Sequence, residues 1–412
     1  MNRKVVMLIW SYWPGHEGGA ERQCSRVVEA MSPQGIEFVI LTSLYSWRAG
    51  TVEHRDSGQI VRLGILAPIE YSFRRFVTPV VSKIVALFFS RIRSTQIAQI
   101  IVFWLMLPVV WCARLSFIIA LMRWFGKNAK HVSIIHVHES DWLAGVAAWI
   151  GENEELPVVA KVATGQALPE LGYDVPFRRY WRSRRWRCHF LAQHHGHIVD
   201  LKNDGIPQER ISVVPNGVVI PVRTADPEKS LPCLYVGNFS QGAHWKAFDV
   251  LIKAWALVHN HNPNARLEMV GAGDIDCWRR FAATLGCEST IMFRGMVPDP
   301  SLYYLSASMF ILPSRTEGLS NALLEAQSYG LPCVVSDIPA NLEVVRQGEN
   351  GLIVPVGNAE LLADSILKLL EDPQLRSRMG RAGRERISSS FSLTATAQRL
   401  LDVYRRLTVQ GS

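Results

Sequence analysis

Glu317 and Glu325 stand eight residues apart in the stretch 313–332, PSRTEGLSNALLEAQSYGLP. The first carboxylate falls in a loop. The second lies more than a turn inside a helix with Ser320 as its N-cap and Gly330 followed by Pro332 as its stop signal. At a rise of about 1.5 Å per residue, the two carboxylates reach different parts of one elongated ligand. Between them the helix start offers unpaired backbone N–H groups and a partial positive charge, a seat for a phosphate. Carboxylates on either side of that phosphate suit sugar hydroxyls. The ligand this chemistry suggests is a sugar on a diphosphate on a nucleoside.

The elements that must hold these groups read as α/β. The apolar run at 5–10 is a buried parallel strand, Gly18 and Gly19 close the loop after it, and 20–31 is a helix with Val27, Val28 and Met31 on one face. Further strands are expected at 38–42, 60–63, 133–137, 158–162 and from 211 into a Pro-Asn-Gly turn. This is the opening of a doubly wound sheet, although the loop is not G-x-G-x-x-G. The polar, proline-bearing stretch 221–230 reads as a linker. After it the strand–glycine–helix pattern restarts. Gly237 permits close ligand approach and Lys246 can neutralise a diphosphate. Strands follow at 267–270, 290–293, 309–313, 333–336 and 351–354, then helices at 359–370, 373–386 and 391–407. His136 and His138 are assigned to opposite faces of their strand, one of them meeting a ligand at the strand's C-terminal end. That assignment speaks against a metal pair. No Asp, His or Cys cluster has ligand spacing, so no metal and no cofactor are expected.

With 412 residues, two domains are expected, and 48% hydrophobic content supports a folded chain. Charged residues make up 19%, the net charge is +8, and mean hydropathy is slightly positive, a hint of membrane contact. The seven cysteines are scattered with no CxxC, which fits a reducing, cytoplasmic compartment. The first apolar run is too short for a signal peptide. The segment 73–130 stands apart. Residues 97–122 carry one charge, Arg114, and contain Pro108, while arginines sit at 74, 75, 91, 93 and 123, with Lys127 and Lys130 beyond. A single membrane span is disfavoured, because strands on either side of it join one sheet. A helical pair dipping into one leaflet, helices packed in the core or an oligomer, and a hairpin of two spans remain. Between 178 and 187 lie six arginines interleaved with Tyr180, Trp181 and Trp186. Without any nucleic-acid-binding motif beside them, Arg178, Arg179, Arg182 and Trp181 are assigned to an acceptor or membrane surface.

The Glu317-x7-Glu325 spacing in EGLSNALLEA, followed by GLPCVVSD, resembles the signature of the family 4 retaining glycosyltransferases. The likeness covers nearly the whole chain and is strongest over 211–407. It implies the GT-B architecture, two Rossmann-like domains facing across a cleft. The first domain, 1–220, would be acceptor-side with the apolar helical insertion 73–130. The second, 231–390, would bind the nucleotide sugar, and 391–412 would return to the first domain. By this resemblance Glu317 holds donor-sugar hydroxyls, Glu325 the ribose, and Gly318, Leu319 and Ser320 the phosphate. His138 lies beside the donor sugar, with His136 as the fallback. Gly18 and Gly19 face phosphate and acceptor, and the base lies near Arg294. The departing phosphate helps deprotonate the acceptor, so no general base is assigned and no metal is needed. Four positions depart from the family: Asn238 for an arginine, Ala247 for a glycine, Val219 for an aspartate, and Thr164-Gly165 for a His-Gly. Since Asn238 cannot supply charge, Lys246 must supply more of it, with Arg294 or Arg315 as helpers. The implied function is retaining transfer from a nucleotide diphosphate sugar to a lipid-linked or polysaccharide-precursor acceptor, peripheral at the cytoplasmic face of the plasma membrane. The alternatives are a membrane-bound, nucleotide-sugar-binding pseudoenzyme, which Asn238 favours, and a GT-B nucleotide-sugar epimerase.

Overall fold

The computed structural model describes residues 4–12, 18–46, 50–86, 91–229, 232–239 and 243–409. The chain divides into two compact units: Met1–Ala192 with Asp200–Ser212 and Leu400–Ser412, and Gln193–Val199 with Val213–Arg399.

Unit 1 runs β1 (Lys4–Leu8), α1 (Gly19–Met31), β2 (Glu37–Ser43), β3 (Val52–Arg55), β4 (Gly58–Leu63), α2 (Ala67–Ala86), α3 (Arg91–Asn128), β5 (Val132–Val137), α4 (Trp142–Glu154), β6 (Val158–Lys161), α5 (Arg178–Arg184), β7 (His189–Ala192), α6 (His195–Asn203) and β8 (Ile211–Val213). The sheet order is β3-β4-β2-β1-β5-β6-β7-β8. The pairings from β4 through β7 are parallel, and the short β3 runs antiparallel to β4. Central strands such as β2 are apolar and buried along almost their whole length, as strands covered on both faces must be. β3 escapes a sequence reading because VEHR is polar and half-exposed. From β1 the chain winds outward through β2 and β4, then returns to β5 on the other side. The point where the order reverses lies between β1 and β5.

The apolar insertion is the pair α2 and α3, packed along each other. Met106, Val110, Ala113, Phe117, Leu121 and Phe125 recur at three- and four-residue spacing and are buried. Gly64 receives this stripe: its φ is +79°, and a Cβ there would come 3.1 Å from Phe117 Cα. The outer half of α3 is different. Ile101, Phe103, Trp104, Leu105 and Trp111 are exposed, as are Val80 and Ile84 of α2. Ile101–His131 is long and apolar enough to cross a membrane, yet only 33% of its most apolar window is buried. Core packing and an exposed apolar face thus share one helix. The side chains of Arg74, Arg75, Arg91 and Arg93 lie outside the described residues.

Unit 2 runs β9 (Cys233–Val236), α7 (Phe248–His261), β10 (Leu267–Val270), α8 (Ile275–Thr284), β11 (Ile291–Gly295), α9 (Ser301–Leu305), β12 (Met309–Leu312), α10 (Asn321–Ser328), β13 (Cys333–Ser336), α11 (Pro339–Val344), β14 (Gly351–Val354), α12 (Ala359–Glu371), α13 (Pro373–Ser390) and the start of α14 (Leu393–Val409). Its parallel sheet has the order β11-β10-β9-β12-β13-β14, so the reversal lies between β9 and β12. The described part of the expected linker, 221–229, is laid onto unit 2. Ala225 N–H donates to Tyr329 O (2.8 Å), Arg376 Nε to Pro227 O (2.6 Å) and Arg384 Nη2 to Pro221 O (2.7 Å). The Pro-Asn-Gly turn also belongs to this unit: Val218 bridges Ser392, and Gly217 approaches Leu393 too closely for a side chain.

Candidate functional site

Glu317 sits in the loop between β12 and α10, and that loop is held at both ends. At the near end Ser336 Oγ donates to the Ser314 carbonyl, and Asn341 Nδ2 donates to Ser336 O (2.9 Å). At the far end Asn216 Nδ2 donates to Leu319 O (3.1 Å) and to Asn321 Oδ1 (2.9 Å). Within it, Glu317 Oε1 accepts from Ser314 Oγ (2.8 Å) and from Lys246 Nζ (2.6 Å). Lys246 comes from the 3-10 turn His244–Lys246, just ahead of α7. The next residue, Ala247, has φ +55°, which explains why the resembled family has glycine there; the strain costs about 1 kcal/mol.

The two arginines considered as helpers are already neutralised. Arg315 makes a two-pronged contact to Asp249 (3.0 and 2.8 Å), and Arg294 Nε donates to Glu268 (3.0 Å). Lys246 is paired too, but with Glu317 of the loop itself. Ser320 caps α10 as expected, its Oγ accepting from Leu323 N–H (3.3 Å). Leu319 is buried, so this residue meets a ligand only through its backbone. Glu325 lies on the less buried side of α10, where Tyr304 O–H donates to its Oε2 (3.1 Å).

Two glycines pack closely at the strand ends. A Cβ on Gly271, after β10, would come 1.8 Å from Gly237 O, and a Cβ on Gly237 would come 2.5 Å from the Tyr235 hydroxyl. That hydroxyl is buried and has no hydrogen-bond partner among the described residues. Burial, and then the nearby Glu317, push its pKa well up, so it stays a donor. Sequence reasoning missed Tyr235, Tyr304 and Asn216. Only Tyr235 left a signal, since it sits two residues before Gly237 and shares its face of the strand. Lys246, Glu317, the glycines and the α10 N-terminus all lie past the C-terminal ends of β9, β10 and β12, at the reversal of the sheet. In open α/β sheets that is where ligands bind. A cation, a helix N-terminus and glycines suit a diphosphate, and flanking carboxylates suit hydroxyls.

In unit 1 the corresponding edge holds α1, β5 and β6. Gly18 N–H donates to Glu21 Oε2 (3.0 Å) and Ser11 Oγ to Glu21 Oε1 (2.9 Å), so Glu21 ties the glycine turn at Gly18 and Gly19 to the helix start. Residues 13–17 of that loop lie outside the described residues. The assignment of His136 and His138 to opposite faces is corrected. Residues two apart on a strand share a face, and here the rings stack with centroids 4.5 Å apart and 10° between planes. The geometric objection to a metal pair falls with it, although no group of three or more His, Cys, Asp or Glu side chains converges among the described residues. His136 Nδ1 meets the Tyr404 hydroxyl at 2.6 Å, whereas both ring nitrogens of His138 are buried without partners among the described residues. Burial, and then Lys161 beside it, push His136 down to about 3. His138 is lowered by burial, by His136 and by Lys161. Both rings are neutral near pH 7. Lys161, at the end of β6, is itself pushed down to about 8 by burial.

Two carboxyls follow the histidines. Asp141 caps α4 through Leu143 N–H (2.9 Å). Burial and the adjacent Asp141 hold Glu139 well above the usual carboxylate range. The basic run resolves into separate tasks. Arg185 is buried and donates to Pro169 O (2.7 Å) and Ser140 O (3.2 Å). Arg184 and Arg187 pair with Glu152, and Arg182 with Glu170 at 3.3 Å. Arg178 lies over the Tyr173 ring at 3.8 Å, and Arg179 is exposed. Trp181 is buried against α4, where Gly145 has no room for a side chain, so it anchors α5 and does not face outward.

The profile of the family described as "Glycosyl transferases group 1" matches residues 231–372. The capsular polysaccharide biosynthesis glycosyltransferase CapM of Staphylococcus aureus is 32% identical over 174 residues, 41% of this chain and 44% of CapM. The chain therefore spans less than half the length of that relative. The phosphatidyl-myo-inositol mannosyltransferase of Mycobacterium leprae is 30% identical over 295 residues, 68% of this chain and 75% of the relative. Among solved structures, the Anabaena protein HepE in complex with UDP superposes with a TM-score of 0.67 at 16% identity, covering 98% of this chain and 100% of HepE.

Proposed function

The chain belongs to the group 1 glycosyl transferases, of the family 4 type with the GT-B fold, and from that footing we propose that it transfers a sugar from a nucleotide diphosphate sugar to a lipid-linked or polysaccharide-precursor acceptor, with retention and without a metal ion. The observation that carries this reading is the convergence of Lys246, Glu317 and the α10 N-terminus on the glycine-bearing reversal of the unit 2 sheet. The diphosphate takes Lys246 from Glu317 and seats at the N-terminus of α10. Glu317, still held by Ser314, turns to the sugar hydroxyls. Glu325, backed by Tyr304, holds the ribose. As the bond from the anomeric carbon to the phosphate oxygen breaks, the acceptor oxygen bonds that carbon on the same face. The acceptor proton goes to the departing phosphate, so no protein base is required. Charge building on the phosphate meets donors already in place, which is the main lever such a site has on the barrier. In unit 1 we assign His138 to a sugar hydroxyl and the Gly18–Gly19 turn to a phosphate or the acceptor.

HepE binds UDP, CapM serves capsular polysaccharide biosynthesis, and the Mycobacterium leprae relative is named for a phosphatidylinositol acceptor. Each supports one part of the reading. The exposed apolar half of α3, with Arg123 and Lys127 on the same helix and Arg178, Arg179 and Arg182 on α5, supports a peripheral place on an anionic, cytoplasmic membrane face. The rival reading, a protein that binds nucleotide sugars without turnover, draws on Asn238 in place of an arginine. Calorimetric titration with UDP and a series of nucleotide sugars tests the donor site; no binding of any nucleotide diphosphate would overturn it. NMR of the product's anomeric proton then tests retention.

A further inference from the structure

α3 touches three separate pieces of the edge of unit 1 at which β1, β5 and β6 end. Trp111 Nε1–H donates to Tyr173 O (2.9 Å), and Arg114 Nη2 lies 2.7 Å from Asp174 Oδ2, both in the segment that follows β6. Phe117 meets the ring of Trp10, past β1, at 5.1 Å, and Trp10 in turn meets Trp142, the first residue of α4, at 5.5 Å. The Arg114 guanidinium also lies 5.2 Å over the Trp142 ring. Its charge acts on Glu139 and Asp141, just past β5. Of these carboxyl groups, Asp174 makes the ion pair with the guanidinium. Arg114 Nε and Nη1 are buried without partners among the described residues.

The outer half of the helix is more exposed. Trp104 precedes Trp111 by two turns on the same helix face, about 10 Å further out along the axis. Trp104 and Leu105 are 60% and 52% exposed, whereas Phe117 and Leu121 are in the core. One continuous helix therefore joins an exposed apolar end to the ends of β1, β5 and β6.

We propose that α3 carries the seating of its outer half in a membrane into the acceptor-side edge of unit 1, with Trp111 and Arg114 as positioning residues for the segment 162–177 and for the Glu139–Asp141 corner. This rests on the membrane reading above. Seating Trp104 and Leu105 fixes the depth and rotation of α3. Trp111 and Arg114 pass that on to Tyr173 and Asp174, beside Arg178, so the edge becomes ordered when the enzyme stands on the surface that holds its acceptor.

The test is hydrogen exchange of the whole chain with and without vesicles of equal parts phosphatidylglycerol and phosphatidylcholine, with cosedimentation measured in parallel. The wild type should pellet with the vesicles, and amide exchange in 162–177 should slow several-fold. Arg114→Met should still pellet but lose that slowing, and Arg114→Lys, which can still reach Asp174, should regain part of it. If Arg114→Met does not fold, Asp174→Asn makes the same comparison from the more exposed partner. A wild type that pellets with no change in 162–177, or an Arg114→Met that slows as the wild type does, overturns the proposal alone. A wild type that never pellets overturns the membrane reading, and the proposal with it.

Discussion

On the proposed reading Lys246 must leave a carboxylate 2.6 Å away to meet a phosphate. Lys246→Ala should weaken UDP by about 1.5–3 kcal/mol, the range for a hydrogen bond to a charged group, and leave uridine unchanged. Titration calorimetry with both ligands decides it, and equal losses would remove Lys246 from the phosphate. Glu325→Gln replaces an acceptor of two hydroxyls by an amide with one mismatched donor, so UDP should weaken by about 1–2 kcal/mol with the fold intact. Unchanged affinity would reject the ribose role.

Lys161 gives a prediction in pH. Burial holds it at about 8 in the folded chain against 10.5 when free. Below pH 8 both states carry the proton, and the folded state bears the cost of the buried charge. Between about 8 and 10.5 only the unfolded state keeps it, so this group makes stability rise with pH across that window. Lys161→Met should abolish that rise and gain about 3 kcal/mol at neutral pH. Urea unfolding of both proteins at two pH values checks it; a destabilised variant would mean that the ammonium has a partner.

The Ser320 cap was legible in the sequence because a helix cap is local. The partnering of Arg294 with Glu268 and of Arg315 with Asp249 was not, since each pair joins residues far apart in sequence. The facing of the histidines was misjudged at a place where strand parity alone settles it.

Among the elements, α3 was legible in part. Its apolar length predicts a helix, but composition is the same for a core stripe and a lipid-facing stripe. Only tertiary packing separates Phe117, which is buried, from Trp104, which is exposed. Trp104→Ser with Leu105→Ser should therefore keep the fold and its melting temperature while releasing the chain from phosphatidylglycerol vesicles. A double variant that unfolds instead would make the outer half of α3 ordinary core. The arginine run shows the same limit. Arg185 and Arg179 look alike in sequence, yet one donates to buried carbonyls and the other is exposed.

At the scale of the molecule, most strands of the two sheets were legible from apolar runs alternating with glycine turns and helices, while β3, β7 and the strand orders were not. Nor was the boundary. Residues 213–220 and 221–229 belong to unit 2 because Val218, Ala225 and Pro227 find backbone or side-chain partners there, and nothing in a polar, proline-bearing stretch announces those partners. Fold and nucleotide seat together make one claim, that this chain moves sugar. The most direct measurement is incubation of the purified protein with membranes and a series of radiolabelled nucleotide sugars, followed by counting label in the lipid fraction. The expected result is that one donor labels lipid with the wild type, and that Glu317→Gln, still folded, does not. A donor that binds and stabilises the protein but leaves the lipid unlabelled, or equal labelling by Glu317→Gln, would contradict it.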